Sequence, residues 1–148
     1  MPAAATVARP EGTAERNPKH RIKVEVIPLG ATVITAGATE FLRKEYLAAT
    51  GVTDRRYLLQ KPPGWKGKIT RFYVVVGTPP TAAVIDTITV NVNGVATALT
   101  GTMTLAVTTL EVGGNIDVEP GDDIDVSVQK DGGSSLADVM AYVTVEER

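Results

Sequence analysis

Between Ile69 and Val145 apolar residues fall at every second position, in short runs cut by glycine- and proline-rich breaks. Side chains of period two belong to strands, because successive residues of an extended chain point to opposite faces. The clearest runs are Ile69-Thr-Arg-Phe-Tyr-Val-Val-Val76, Ile85-Asp-Thr-Ile-Thr-Val-Asn-Val92, Asp123-Ile-Asp-Val-Ser-Val128 and Leu136-Ala-Asp-Val-Met-Ala-Tyr-Val-Thr-Val145. Gly77-Thr-Pro-Pro-Thr81, Asn93-Gly94, Gly113-Gly114, Val118-Glu-Pro-Gly-Asp122 and Asp131-Gly-Gly-Ser-Ser135 separate them or lie between them and further short segments. Asn-Gly is a strong tight-turn signal, since glycine accepts positive φ and asparagine tolerates it. There is no strand–helix rhythm and no long repeat. Eight or nine short strands with such breaks predict an all-β chain, an antiparallel β-sandwich or a closed barrel.

The alternation also predicts which faces are buried. Ile22, Val24 and Val26 share one face of residues 21–27, with Lys23 and Glu25 on the other, and Pro28-Leu-Gly30 interrupts before a second strand at 31–35. Phe72 and Val74 share a face of the 69–76 run opposite Ile69 and Tyr73, and Ile88, Val90 and Val92 share a face opposite Thr87, Thr89 and Asn91. Residues 102–108 read as a strand with Met103, Leu105 and Val107 together, followed by a loop at Gly113-Gly114. Ile124, Val126 and Val128 point inward and leave Asp123, Asp125 and Ser127 outward; Val139, Ala141, Val143 and Val145 oppose Met140, Tyr142 and Thr144. The expected core therefore includes Ile22, Val24, Phe72, Val74, Val90, Ile124, Val126, Val143 and Val145. Residues 56–60 read as a short strand, and 39–50 fit either an edge strand or a short amphipathic helix, with the all-β setting favouring the strand.

Organisation follows from composition. Residues 1–20 carry Pro2, Pro10 and Pro18 with alanine, threonine and charge but no periodicity, which reads as an extended arm preceding one β-sandwich domain at 21–148. At 148 residues the chain is long enough for one ordinary core. Residues 1–68 carry net charge +6 and residues 69–148 net charge −8. Such halves are complementary fields within one fold or between copies, or else two solvated faces. No run approaches the roughly twenty apolar residues of a membrane helix, and the first residues make a poor secretory signal.

Chemistry is sparse. With no cysteine, disulfides, thiolate metal sites and thiol nucleophiles are excluded. His20 is the only histidine and has no serine–acid constellation around it. The acidic turn Asp117 to Asp125 offers carboxylates suited to calcium but not the twelve-residue calcium loop, and outward aspartates on a strand explain it equally. No carboxylate pair stands out for glycoside hydrolysis, and no glycine-rich strand–loop–helix cradles phosphate. The basic positions Arg55, Arg56, Lys61, Lys66, Lys68 and Arg71 lie near Tyr57, Trp65 and Tyr73, as a nucleic-acid surface requires, yet the chain is acidic overall; direct nucleic-acid binding is not expected. Trp65, beside the Pro62-Pro63 turn, reads as the cover of a core end or as a ligand platform. No enzyme activity, cofactor or metal is expected.

The runs Pro63-Gly-Trp-Lys-Gly-Lys-Ile-Thr-Arg-Phe-Tyr-Val-Val-Val76, Asp86-Thr-Ile-Thr-Val-Asn-Val-Asn-Gly94, Glu119-Pro-Gly-Asp-Asp-Ile-Asp-Val-Ser-Val128 and Ala137-Asp-Val-Met-Ala-Tyr-Val-Thr-Val145 resemble jelly-roll virion proteins of tailed bacteriophages. The likeness is greatest to head decoration proteins, and more broadly to trimeric complement-like β-sandwiches. It implies a jelly-roll sandwich, a homotrimer, attachment to the major capsid protein on the outer capsid surface, and no membrane. Under that resemblance Arg9, Arg16, Lys19 and His20 of the arm become expected contacts with the capsid or a neighbouring copy, and Trp65 and Tyr142 become expected intersubunit or ligand-facing aromatics. A tail or fibre component, or a carbohydrate- or receptor-binding sandwich, is the competing expectation.

Overall fold

The alternating runs pair into two antiparallel sheets. The computed structural model describes residues 23–43, 59–60 and 66–148. Among them lie β1 (Val24–Ala31), β2 (Thr39–Phe41), β3 (Leu59–Gln60), β4 (Gly67–Thr78), β5 (Asp86–Val92), β6 (Val95–Met103), β7 (Thr109–Val118), β8 (Asp123–Gln129) and β9 (Ala137–Glu147). The first sheet runs β1-β9-β4-β7 and the second β2-β8-β5-β6, with β3 also paired to β8. Their inner faces meet in one core that takes Phe72, Val74, Ala141 and Val143 from the first sheet and Ile88, Val90, Ile124 and Val126 from the second. This is an all-β sandwich, and both strand orders are open-ended among the described residues.

Most of the inside–outside pattern stands as the alternation predicts. Ile88 and Val90, then Ile124, Val126 and Val128, then Val139, Ala141, Val143 and Val145 are all buried. Asn93 and Gly94 both have positive φ, 52° and 80°, and close the β5–β6 hairpin in the turn class this dipeptide favours. The strand reading of residues 39–50 holds at β2, and the predicted strand at 56–60 appears as β3 at its end. The arm at 1–20, Ile22, residues 44–50 and Trp65 lie outside the described residues.

Several expectations are corrected. Val24 was expected in the core, but it and Val26 are 58% and 54% exposed, while Ile27, Leu29 and Ala31 are buried. The cause is register: Ile27 lies opposite inward-facing Val143, so Val26 lies opposite outward-facing Thr144. A shift of one residue moves a strand's whole apolar set to the other face. Pro28 does not interrupt β1, which occupies the end of its sheet's strand order, where a residue without an N–H can be tolerated. In β4 a register shift between Ile69 and Arg71 brings Ile69 into the core with Phe72, although simple alternation sets them apart.

The predicted strand at 102–108 ends at Met103, and Leu105 is exposed beyond it. Gly113-Gly114 is not a loop but the middle of β7. Glycine allows a close approach there: a Cβ on Gly114 would stand 2.6 Å from Cδ2 of buried Leu99 on β6, which would have to shift. Asp125, expected in solvent, is buried; it stays on the outer side of β8, where it accepts a hydrogen bond from Asn91.

Candidate docking face

The two outer surfaces of the sandwich differ in chemistry. On the second sheet, hydroxyls and amides satisfy one another. Thr89 and Thr100 share a 2.7 Å hydrogen bond, and Asn91 Nδ2 donates to Asp125 Oδ1 at 2.6 Å and to Ser127 Oγ at 3.1 Å. Thr97 Oγ1 donates to the Val90 carbonyl. Polar groups whose bonds are already made offer little to a partner that would have to dehydrate them.

The outer side of the first sheet is apolar and aromatic. The register sets Pro28, Tyr142, Tyr73 and Glu111 in one row across β1, β9, β4 and β7. On one side lies the row Gly30, Met140, Val75 and Thr109; on the other, Val26, Thr144 and Arg71. The Tyr73 and Tyr142 rings lie 6.4 Å apart between centroids and are tilted by 34°. Arg71 Cζ stands 5.3 Å from the Tyr73 ring centroid, within reach of the electron-rich face. Tyr142 Oη donates to Met140 Sδ at 3.8 Å. Tyrosine, methionine and arginine are the side chains enriched where proteins meet, since each combines large contact area with a polar or polarisable group.

Paired charges border this strip. Arg71 pairs with Glu111, and Lys68 Nζ reaches Asp117 Oδ1 at 2.7 Å. That hydrogen bond, together with the charge of Lys68, holds the Asp117 carboxyl below its ordinary range; slight desolvation opposes the shift and the Arg148 charge adds to it. Lys23 with Glu147 and Arg148 with Glu146 are looser pairs at 3.7 and 3.8 Å. A border that carries both signs around an apolar centre has the layout of a protein–protein contact.

Of the residues singled out from sequence, Tyr142 lies at the centre of this face. Arg9, Arg16, Lys19, His20 and Trp65 lie outside the described residues. Sequence reasoning missed Tyr73, assigned to ordinary sheet alternation, Val26, placed on the same face as the expected core residues Ile22 and Val24, and Pro28, assigned to a break. The available signal was the outward parity of Tyr73 and Tyr142, but their side-by-side pairing is set by β4–β9 register.

Buried polar groups elsewhere organise backbone. Asp86 accepts from Asp131 N and Ser134 Oγ, and Lys130 Nζ donates to the Ile34 carbonyl. Asp122, in the acidic turn, accepts from Asn93 Nδ2 and from Glu119 N. Among the described residues, no group of three or more histidine, aspartate or glutamate side chains is placed to hold a metal ion, and no helix is long and apolar enough to cross a membrane. No protein-family model matches the chain, and no curated protein matches it.

Proposed function

We propose that this chain is a viral structural protein that decorates and stabilises a tailed-phage capsid, assembling as a homotrimer through the Tyr73–Tyr142 face and holding the major capsid protein with the arm at residues 1–20. The observation that carries the reading is the outward strip Val26, Pro28, Tyr142, Tyr73, Met140 and Val75, an apolar surface on the β1-β9-β4-β7 sheet. Strand order supports a jelly roll. Every consecutive pair within β4 to β9 changes sheet except β5 and β6, which form a hairpin, and β1 and β2 also lie in opposite sheets. A sandwich whose buried polar groups serve its own loops, and whose outer face is apolar, is suited to assembly, and several weak attachments on one shell add through effective concentration. Arg9, Arg16, Lys19 and His20 are the arm's basic side chains, offered to an acidic partner.

The test is absolute mass by light scattering over a concentration series at two salt levels, followed by capsid co-sedimentation. The expected mass is near three chains. Tyr142→Asp with Val26→Asp is expected to lower that mass, and deletion of residues 1–20 to preserve β-sheet circular dichroism while weakening capsid incorporation. A persistent monomer that also fails to bind capsids overturns the reading. A carbohydrate- or receptor-binding module is the second reading, favoured by the two adjacent tyrosine rings on one outer sheet face; glycan binding without capsids, lost in Tyr73→Ala, decides for it.

A further inference from the structure

The Asn93-Gly94 turn is clamped from outside its own hairpin. Asn93 Nδ2 donates to Asp122 Oδ1 at 2.6 Å, and Asn93 Oδ1 accepts from Asp123 N at 3.0 Å. The backbone joins the same contact, with Asn93 N donating to the Asp123 carbonyl at 2.8 Å. Asp122 is itself held: its Oδ2 accepts from Glu119 N at 2.8 Å, and its own N–H donates to the Glu119 carbonyl at 3.1 Å. One side-chain amide therefore ties the β5–β6 hairpin to the turn that leads from β7 into β8.

The same amide is open to attack from its own backbone. Asn93 and Gly94 are both exposed, so water reaches them. Attack of Gly94 N on Asn93 Cγ closes a five-membered ring, and glycine has no side chain to hinder it. The other asparagines are worse placed. Asn91 and Asn115 are followed by branched Val92 and Ile116, and Asn17 precedes Pro18, whose nitrogen carries no hydrogen. Asn91 is also buried and donates to Asp125 and Ser127. Chemistry singles out Asn93, and the clamp acts against it. Ring closure expels Nδ2, so the hydrogen bond to Asp122 must be given up on the way. The turn resists as well, because φ of 52° at Asn93 and 80° at Gly94 is held by the pairing of Val92 with Val95.

We propose that Asn93 is a site of covalent self-modification, in which Gly94 N converts the Asn93 amide through a cyclic imide to aspartate or isoaspartate, and that Asp122 sets how slowly this happens. Gly94 N gives its proton to water and bonds to Asn93 Cγ. The Cγ–Nδ2 bond breaks, and Nδ2 leaves as ammonia with that proton returned. Water then opens the ring at either carbonyl. Breaking the bond from Gly94 N to Cγ gives aspartate; breaking the bond from Gly94 N to the backbone carbonyl carbon gives isoaspartate, with the main chain now running through Cγ. One water is consumed and one ammonia released, with no oxidation or reduction. Either product carries a carboxylate in place of the amide donor. It has no hydrogen for Asp122 Oδ1 and opposes its charge, so the β5–β6 hairpin is released from the turn at 119–123. The reaction is a slow clock that loosens one end of the sandwich.

The test incubates the full-length protein at neutral pH, folded and in parallel unfolded in urea, and follows conversion at each asparagine by peptide mass spectrometry. Asn93 is expected to convert fastest in the unfolded chain and slowest in the folded one, with folded Asp122→Ala in between. That variant should convert Asn93 at least about tenfold faster than the unsubstituted protein, since a hydrogen bond to a charged acceptor is worth about a decade or more in an equilibrium constant. Asn115 in β7 is the internal reference, and its rate should not change. Equal Asn93 rates in folded and unfolded chains overturn the clamp, as does a folded Asp122→Ala no faster than the unsubstituted protein. A rise at Asn115 by the same factor also overturns it, because the whole sheet would then have opened. An unfolded chain that converts another asparagine ahead of Asn93 overturns the site. The consequence is read separately. Asn93→Asp imposes the product carboxylate and should lower the urea midpoint, and Asp122→Asn in the same chain should restore part of the loss by supplying an amide donor between the two side chains. An unshifted midpoint overturns the release.

Discussion

Removal of the Asp86 carboxylate is the sharpest test of how the connection between β8 and β9 is held. Asp86 is fully buried where β5 begins. Its Oδ1 accepts from Asp131 N at 2.8 Å and its Oδ2 from Ser134 Oγ at 2.5 Å, while Ser134 Oγ accepts from Leu136 N at 3.1 Å. Hydrogen bonds to a charged group contribute about 1.5–3 kcal/mol each, so Asp86→Ala removes roughly 3–6 kcal/mol of favourable interaction. Taking the carboxylate away also relieves its desolvation cost, which returns part of that sum. The expected net loss is about 2–4 kcal/mol, which lowers the melting temperature by about 5–12 °C for a chain of this length. Asp86→Asn keeps the shape and Oδ1. Its Nδ2 can donate to Ser134 Oγ, whose own hydrogen then loses its acceptor, so the expected loss is only about 1 kcal/mol. Urea unfolding at neutral pH followed by far-ultraviolet circular dichroism measures both, and a cycle with Ser134→Ala should give a coupling of about 1 kcal/mol or more. An Asp86→Ala loss below about 0.5 kcal/mol, or an asparagine variant as damaged as the alanine one, would refute the reasoning.

Gly114→Ala is expected to destabilise by about 1–3 kcal/mol, because the new Cβ would stand 2.6 Å from Leu99 Cδ2 and Leu99, fully buried, must shift to make room. Leu99→Val in that background should restore part of the loss, measured by the same unfolding experiment; two additive losses would count against the packing argument. For Asp117, carbon-detected titration should place the side-chain midpoint below that of an unpaired aspartate, and Lys68→Met should return it to the ordinary range. A depressed folded-state value means that this pair's contribution is present above the unfolded carboxylate range and is lost as pH falls through the folded-state midpoint. The pair is exposed at Asp117, so the effect should shrink with added salt.

Local chemistry made most of the sandwich legible. The period-two runs and their Gly/Pro breaks identify β4, β5, β8 and β9, and the Asn93-Gly94 turn brings β6 back antiparallel on β5. These depend on neighbours in sequence: alternation is a property of one extended segment, and positive φ is a property of one residue. The hidden parts depended on residues far apart in the chain. Two consecutive glycines read as a loop until β6 brings Leu99 onto Gly114. Val24 reads as core, with Val26 on the same face, until β9 sets the register of β1. Ile69 and Phe72 read as opposite faces until a bulge brings them together.

The candidate face follows the same division. Tyr142 is recognisable from its own strand's parity, but Tyr73 becomes its neighbour only when β4 and β9 pair, and Pro28 joins them only when β1 takes the end of the sheet. Sequence alone determined that the core would be built from strands and which residues of a strand share a side. Which side meets the core, and which distant side chains stand together, was decided by strand order and register, because pairing across a sheet brings together residues with no relation in sequence.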